Sequence, residues 1–256
     1  MNILLNGICG YMGKEVAALC REGYRGARLV GGVDPSGEGE DIYTSFADVP
    51  KNLPIDCIVD FSTHSATAAL LEFAKDRGLP VVIATTGHNP IEKDNITEAS
   101  EVIPVFFSSN MSLGIAILID LVKQAVAAIP EADIEIVEKH HTRKVDSPSG
   151  TALMIAEAII EERPDAYANV GRAGLGIREK EEIGIHSVRM GNVVGEHEVL
   201  ICTPNQTITL KHEAHNRALF AEGGLCAAEF IIGKSAGLYD MKSLIAGKKE
   251  SFANSL

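Results

Sequence analysis

The chain has 256 residues, 46% of them hydrophobic and 23% charged, with 24 glycines and no tryptophan. This suits a soluble globular protein of one large or two modest domains. A net charge of −12, from 23 Lys plus Arg against 35 Asp plus Glu, argues against general binding to nucleic acid or anionic membranes. It leaves room for a local basic pocket and a small anionic substrate.

Cys9, Cys20, Cys57, Cys202 and Cys226 have no metal-site or disulfide spacing and read as small apolar residues in a reducing compartment. The N-terminus begins on a strand pattern without a targeting signature, and no apolar run is long enough for a bilayer. A cytoplasmic location is expected.

In chain order, an apolar strand over 2–6 runs into Gly7, Gly10 and Gly13, and a helical segment follows over 16–20. Glycines at this junction permit a tight turn, close approach of backbone to a pyrophosphate, and packing of helix on strand. The next strand, 27–33, ends in Asp34, 21 positions after Gly13, where a carboxylate can accept both ribose hydroxyls of an adenosine. Pro35, not a cation, follows it, and Tyr11 brings no charge to the glycine loop, although Arg25 and Arg28 are near in sequence. An ionised Asp34 repels a 2'-phosphate, so NADH is expected to serve at least as well as NADPH.

Residues 36–54 read as a loop with little regular structure. Strands at 57–61, 79–84 and 103–107, with a helix over 65–77 that stops at Gly78, continue a βα rhythm. That rhythm predicts a Rossmann-type parallel sheet between helices, with ligands beyond the C-terminal strand ends. Ser62, Thr63, Thr85, Thr86, Ser109 and Asn110 lie at such ends and are candidates for holding the nicotinamide half. His64 and His88 read as rim residues, with or without a chemical duty.

A long apolar helix over 113–129 precedes a change of pattern. Residues 134–138, 183–190, 195–202 and 206–213 alternate polar and apolar over strand lengths. They predict a smaller α+β domain with a mixed, largely antiparallel sheet and the single helix 151–163 on one side. Residues 171–182 read as a mobile glycine-rich loop, in which Arg172 is either a substrate clamp or a solvated arginine. An apolar helix over 216–232 then crosses back to the first domain. The expected division is 1–112 plus 218–256 for dinucleotide binding, and 113–217 for substrate binding and oligomerisation.

The stretch 138–151, Glu-Lys-His-His-Thr-Arg-Lys-Val-Asp-Ser-Pro-Ser-Gly-Thr, organises the rest. Ser149 or Thr151 can cap the helix that follows, and Gly150 and Thr151 then present unpaired N–H groups at its positive end. Such an end attracts a carboxylate or phosphate. His140 can carry a proton near neutral pH, and Lys144 holds a charge. No metal is expected, because the neighbouring His140, His141 and Asp146 lack the spacing of three or four converging ligands. A Walker loop and a nucleophile turn are also missing from the sequence. The remaining combination is a nicotinamide domain with a proton donor for an anionic substrate.

These residues resemble the 4-hydroxy-tetrahydrodipicolinate reductase (dihydrodipicolinate reductase) family, above all over 138–151. The likeness continues through 7–13, 85–87, 110–114, 186–189, 195–197, 216–220 and 237–241. It implies NAD(P)H-dependent reduction of (2S,4S)-4-hydroxy-2,3,4,5-tetrahydrodipicolinate to tetrahydrodipicolinate with loss of water, in lysine and diaminopimelate biosynthesis. It further implies His140 as proton donor and acceptor, and Lys144 as second donor beside a substrate carboxylate. His141 is implied to contact substrate, and Gly150 and Thr151 to bind a carboxylate. Gly7, Ile8, Cys9, Gly10, Tyr11, Met12, Asp34, Ala84, Thr85, Thr86, Ser108, Ser109, Asn110 and Met111 match cofactor positions. A homotetramer assembled through the second domain's sheet is implied as well. Many members carry arginine where this chain has Tyr11, some carry it where this chain has Pro35, and the loop at Ala173 also differs from the form often seen.

Overall fold

The computed structural model describes residues 1–253; residues 254–256, assigned above to the first domain, lie outside the described residues. From the N-terminus come β1 (Asn2–Asn6), α1 (Tyr11–Arg21), β2 (Arg28–Val33), β3 (Ile42–Tyr43), β4 (Cys57–Asp60), α2 (Thr67–Arg77), β5 (Val81–Ile83), α3 (Pro90–Ser100) and β6 (Pro104–Phe107). Strand cores of Ile, Leu and Val, buried on both faces, are what a parallel sheet between helices requires. Helix α3 was not expected from the sequence. Its start is nevertheless written there: Asn89 and Glu92 form a reciprocal capping box around Pro90.

The chain continues with α4 (Leu113–Ala128), β7 (Asp133–His140), α5 (Gly150–Glu162), β8 (Tyr167–Val170), β9 (Glu182–Arg189), β10 (Gly195–Thr203) and β11 (Gln206–Ala214). These strands form a five-stranded sheet in the order β11-β10-β7-β9-β8. The sheet is mixed: β10 runs antiparallel to β7 and β11, whereas β9 is parallel to β7 and β8. Two helices cover its core face, not one. Ile115, Leu118 and Val122 of α4 join Ile155 and Ile159 of α5 over Ile134, Ile136, Ile185 and Val199.

Last come α6 (Ala218–Ile231), β12 (Gly237–Tyr239) and α7 (Met241–Ala253). Strand β12 completes a seven-stranded parallel sheet, β12-β6-β5-β4-β1-β2-β3. Helix α6 lies against it through small residues. A Cβ on Gly223 would fall 1.7 Å from the Met111 carbonyl oxygen, and one on Gly224 would fall 2.9 Å from the Phe61 ring. The chain folds as two compact units, Met1–Leu113 with Ala218 onward, and Gly114–Arg217.

Candidate dinucleotide and acid–base sites

In the first unit, the order of the sheet reverses between β1 and β4, the switch point where α/β sheets bind ligands. The three loop glycines answer different demands. Gly7 has φ +82°, and a Cβ there would fall 2.8 Å from the Ser62 Cα. Gly13 tolerates no side chain, because its Cβ would fall 2.1 Å from the Gly7 carbonyl oxygen. Gly10 is the N-cap of α1 and supplies no side-chain cap, which leaves the helix's positive end to an external anion.

Asp34, at the tip of β2, is held as an acceptor. Its Oδ2 accepts from the Cys9 N–H at 3.1 Å, and its Oδ1 accepts from the Ser36 N–H at 3.0 Å and hydroxyl at 2.7 Å. Burial pushes this carboxyl up, but the bonds from Ser36 and Cys9 outweigh it and hold Asp34 below the usual carboxylate range. Oδ2 keeps a lone pair for a ribose hydroxyl.

A cavity of about 930 Å³ opens beside these groups, lined by Gly7, Gly10, Asp34, Ser36, Phe46, Ser62, Glu72, Phe73 and Asp76 among others. Its charged lining is Asp34, Glu72 and Asp76, with no arginine or lysine among the described residues. Residues 36–54 therefore do more than connect. Strand β3 pairs with β2, and Phe46 packs on Phe73 with ring centroids 5.0 Å apart to wall the cavity. The volume, the glycine turn, the uncapped helix and the acceptor carboxylate together suit a dinucleotide.

Of the other candidate cofactor residues, Ile8 turns its side chain into the space left by Gly32, where a Cβ would fall 2.5 Å away. Tyr11 is exposed, and Met111 is buried. Thr85 donates to Asp60 Oδ2 at 2.6 Å. Ser108 donates to the Asn110 carbonyl at 2.8 Å, shaping the turn that carries Ser109. Ala84 donates its N–H to the Asp60 carbonyl, and Thr86 is exposed.

Asp60 itself was not anticipated. It is fully buried at the end of β4 and accepts from Asn6 at 2.8 Å, Ser62 Oγ at 2.5 Å and Thr85. It thus knits three strand ends into one rim. His88 is not an exposed rim residue: it is buried against Phe107, with Nε2 2.8 Å from the Thr67 hydroxyl. His64 stays exposed and pairs with Glu92 at 2.9 Å.

In the second unit, β7 alternates along its length, and that alternation places the chemistry. Ile134 and Ile136 face the core, so Glu138 and His140 face the same way at the C-terminal end. Glu138 is completely buried. It accepts from His140 Nδ1 at 2.5 Å, from both terminal nitrogens of Arg189 at 2.7 and 2.8 Å, and from the Ser149 N–H at 3.1 Å. Burial raises the Glu138 carboxyl, but the bonds from Arg189 and His140 prevail and bring it to about 2. Burial pushes the His140 imidazole below its ordinary value, against the pull of Glu138.

Ser149 caps α5, accepting from the Ala152 N–H at 3.2 Å. Its hydroxyl also meets His197 Nε2 at 3.0 Å, and the His197 ring stands edge-on to His140 at 5.2 Å. Lys144 and His141 lie in the turn between β7 and α5. Lys144 Nζ pairs with Asp146 at 2.8 Å, and its N–H bonds the His141 carbonyl. His141 is half-buried, with a buried Nδ1 that has no partner among the described residues. An added Cβ at Gly150 would meet nothing within 4 Å, while Thr151 follows it in the first turn. The turn therefore gathers His140, His141, Lys144, Gly150 and Thr151. Arg172 is an exposed loop arginine, in keeping with one of its two readings, and it is ion-paired to the buried Glu182.

His197 yields a pH prediction. Burial lowers it from its ordinary 6.5 to about 4. The folded protein refuses a proton that the unfolded chain accepts, so stability is full above pH 6.5 and declines as pH falls toward 4. The loss from this one residue is about 3 kcal/mol. Urea midpoints measured across that window are expected to fall, and His197→Gln is expected to flatten the slope.

Comparison with known proteins matches the chain along its length. Residues 1–111 match the family model "Dihydrodipicolinate reductase, N-terminus", and residues 114–245 match "Dihydrodipicolinate reductase, C-terminus". The 4-hydroxy-tetrahydrodipicolinate reductase of Caldanaerobacter subterraneus subsp. tengcongensis is 45% identical over 249 residues, covering 96% of this chain and 98% of that protein. The Clostridium novyi protein of the same name is 41% identical, with the same coverage. Among solved structures, the dipicolinate-bound dihydrodipicolinate reductase from Paenisporosarcina sp. TG-14 shares the fold. Its TM-score is 0.80 at 23% identity, over 94% of this chain and 97% of that one.

Proposed function

Because the chain belongs to the dihydrodipicolinate reductase family, we propose that His140 is its acid–base residue, with Lys144 as second proton donor and Gly150 and Thr151 as the seat of a substrate carboxylate. The protein is an NAD(P)H-dependent oxidoreductase that reduces 4-hydroxy-tetrahydrodipicolinate to tetrahydrodipicolinate, with loss of water, in diaminopimelate and lysine biosynthesis. One observation carries the assignment of roles. The buried Glu138 carboxylate accepts both from His140 Nδ1 and from the N–H of Ser149, the cap of α5, tying a proton-transfer group to an anion-binding helix end.

A bound reduced nicotinamide supplies the hydride. The chain supplies charge, position and protons. The first turn of α5 and the Lys144 ammonium receive the two-fold negative substrate, for which Lys144 exchanges Asp146. A dianion seated beside His140 favours the imidazolium against the effect of burial, so the proton is taken up where it will be used. The hydroxyl group leaves as water together with a hydrogen of the neighbouring carbon, with Lys144 assisting. His140 then returns a proton to that neighbouring carbon while the carbon that lost the hydroxyl accepts hydride. The half-buried His141 adds a further polar contact to substrate.

Asp34 and the acidic lining of the adenosine cavity make NADH at least as good a cofactor as NADPH. Fluorescence titration is expected to give a dissociation constant for NADH no larger than that for NADPH; a ten-fold tighter NADPH would overturn this preference. Gly150→Ala offers a test of the carboxylate seat. The protein has room for the added Cβ, so the variant is expected to keep its unfolding midpoint while KM for substrate rises about ten-fold, near 1.4 kcal/mol. Calorimetric titration with dipicolinate should weaken in parallel; unchanged binding in both assays would remove Gly150 from the site.

The working form is a cytoplasmic homotetramer built on the second unit's sheet. Val137, Val188 and Leu200 lie on the face away from the core helices and are not fully covered within the chain. No helix among the described residues is long and apolar enough to cross a membrane.

A further inference from the structure

The geometry points to Nε2 as the nitrogen through which His140 moves its proton, and to Glu138 and Arg189 as the positioning pair that keeps it so. This rests on the role given to His140 above. The two ring nitrogens have opposite surroundings. Nδ1 lies 2.5 Å from Glu138 Oε2, and a carboxylate with that burial and those donors can only accept, so Nδ1 carries hydrogen. Nε2 has no hydrogen-bond partner among the described residues. It looks toward Gly195 of β10, where a Cβ would stand 3.0 Å away, so the missing side chain leaves room at the reacting nitrogen.

Arg189 makes the arrangement durable. Its two terminal nitrogens grip both Glu138 oxygens, and one of them also donates to the Asp146 carbonyl at 2.7 Å. A fork of this shape fixes the carboxylate plane and keeps the carboxylate from taking the proton of His140. The same guanidinium thus connects the histidine's support to the turn that carries Lys144. The charged and titratable groups around the imidazole are Glu138 on its own strand, Arg189 on β9, His197 on β10, and Lys144 in the turn. Glu138 is the one that favours the imidazolium; the three basic groups oppose it.

Two variants separate positioning from folding. Glu138→Gln keeps the volume and an acceptor but removes the charge. Arg189→Lys keeps the charge and loses the fork. In each, kcat is expected to fall about 100-fold, with NADH affinity near that of the unaltered protein. The unfolding midpoint stays near in Arg189→Lys, which keeps the charge, and falls in Glu138→Gln, where Arg189 loses its buried counter-charge. The limb of the kcat–pH profile on which activity falls as pH rises should move to lower pH in Glu138→Gln, because the imidazolium loses its counter-charge. Nitrogen-15 spectra of histidine-labelled protein supply a readout independent of activity. In the unaltered enzyme at high pH, the His140 Nδ1 should be protonated and Nε2 bare; in Glu138→Gln this tautomer should give way to a mixture.

A bare Nδ1 in the unaltered enzyme would overturn the inference while leaving the role of His140 intact. So would a pH profile unmoved in folded Glu138→Gln. Full activity in His140→Gln, by contrast, would fail the underlying role itself.

Discussion

His140→Gln is expected to lower kcat about 1,000-fold, while NADH binding and thermal stability stay near those of the unaltered protein. Glutamine retains a donor that can face Glu138, so the buried carboxylate keeps its Arg189 and Ser149 partners and is not stranded. What disappears is a group that can give and regain a proton near neutral pH. Because the dinucleotide cavity is lined by residues of the first unit, cofactor affinity has no reason to change. A dinucleotide-binding sensor without turnover would show no functional loss in this variant. Stopped-flow comparison of cofactor binding and turnover on the same preparation distinguishes the two.

Gly13→Ala is expected to remove cofactor binding and to lower stability by about 3 kcal/mol. The added carbon would fall 2.1 Å from the Gly7 carbonyl oxygen and 2.8 Å from the Ile8 backbone, and backbone cannot swing aside as a side chain can. Relief requires the loop to move off α1, and the turn that receives the pyrophosphate opens. Gly10→Ala serves as the control. Its Cβ would stand 3.2 Å from the Gly7 carbonyl oxygen, tight but tolerable, and α1 already begins there with an ordinary extended φ. It should fold nearly normally and weaken only NADH binding. Equal loss of stability in both variants would show that the three glycines are not distinguished as the structure has them.

The parallel sheet was legible because strands buried on both faces are written as continuous apolar runs. The second sheet was legible because its strands alternate. Elements whose existence depends on a distant partner were not. Strand β3 is two residues long and exists through its pairing with β2, so residues 36–54 read as loop. Helix α3 carried its capping signal, Asn89-Pro90 with Glu92, but buries only Ile96, Ala99 and Ser100, too little for an apolar stripe to show. The expectation of one helix on the second sheet failed because α4 looks like a connector in sequence. Its apolar stripe declares a partner only when β7 and β9 are in place.

At the acid–base site, the turn was readable as a contiguous block, but its support was not. Apolar alternation in β7 ends at Val137, so nothing apolar announces that Glu138 and His140 continue the core face. The Glu-x-His spacing at a strand end was the available signal, since two residues apart on a strand means the same side. Arg189 and His197 lie in segments that carry the family resemblance, 186–189 and 195–197, but they come from strands brought alongside by pairing, and nothing local ties them to Glu138 and His140. His88 follows a strand end and so reads as a rim residue, whereas Phe107 and Thr67 enclose it.

The most direct test follows the loss of reduced-nicotinamide absorbance with purified protein and 4-hydroxy-tetrahydrodipicolinate generated in situ, run in parallel with NADH and NADPH. Turnover with both, NADH at least as efficient, is the expected result. Folded protein that binds dinucleotide yet consumes neither cofactor would contradict the reductase assignment at its root.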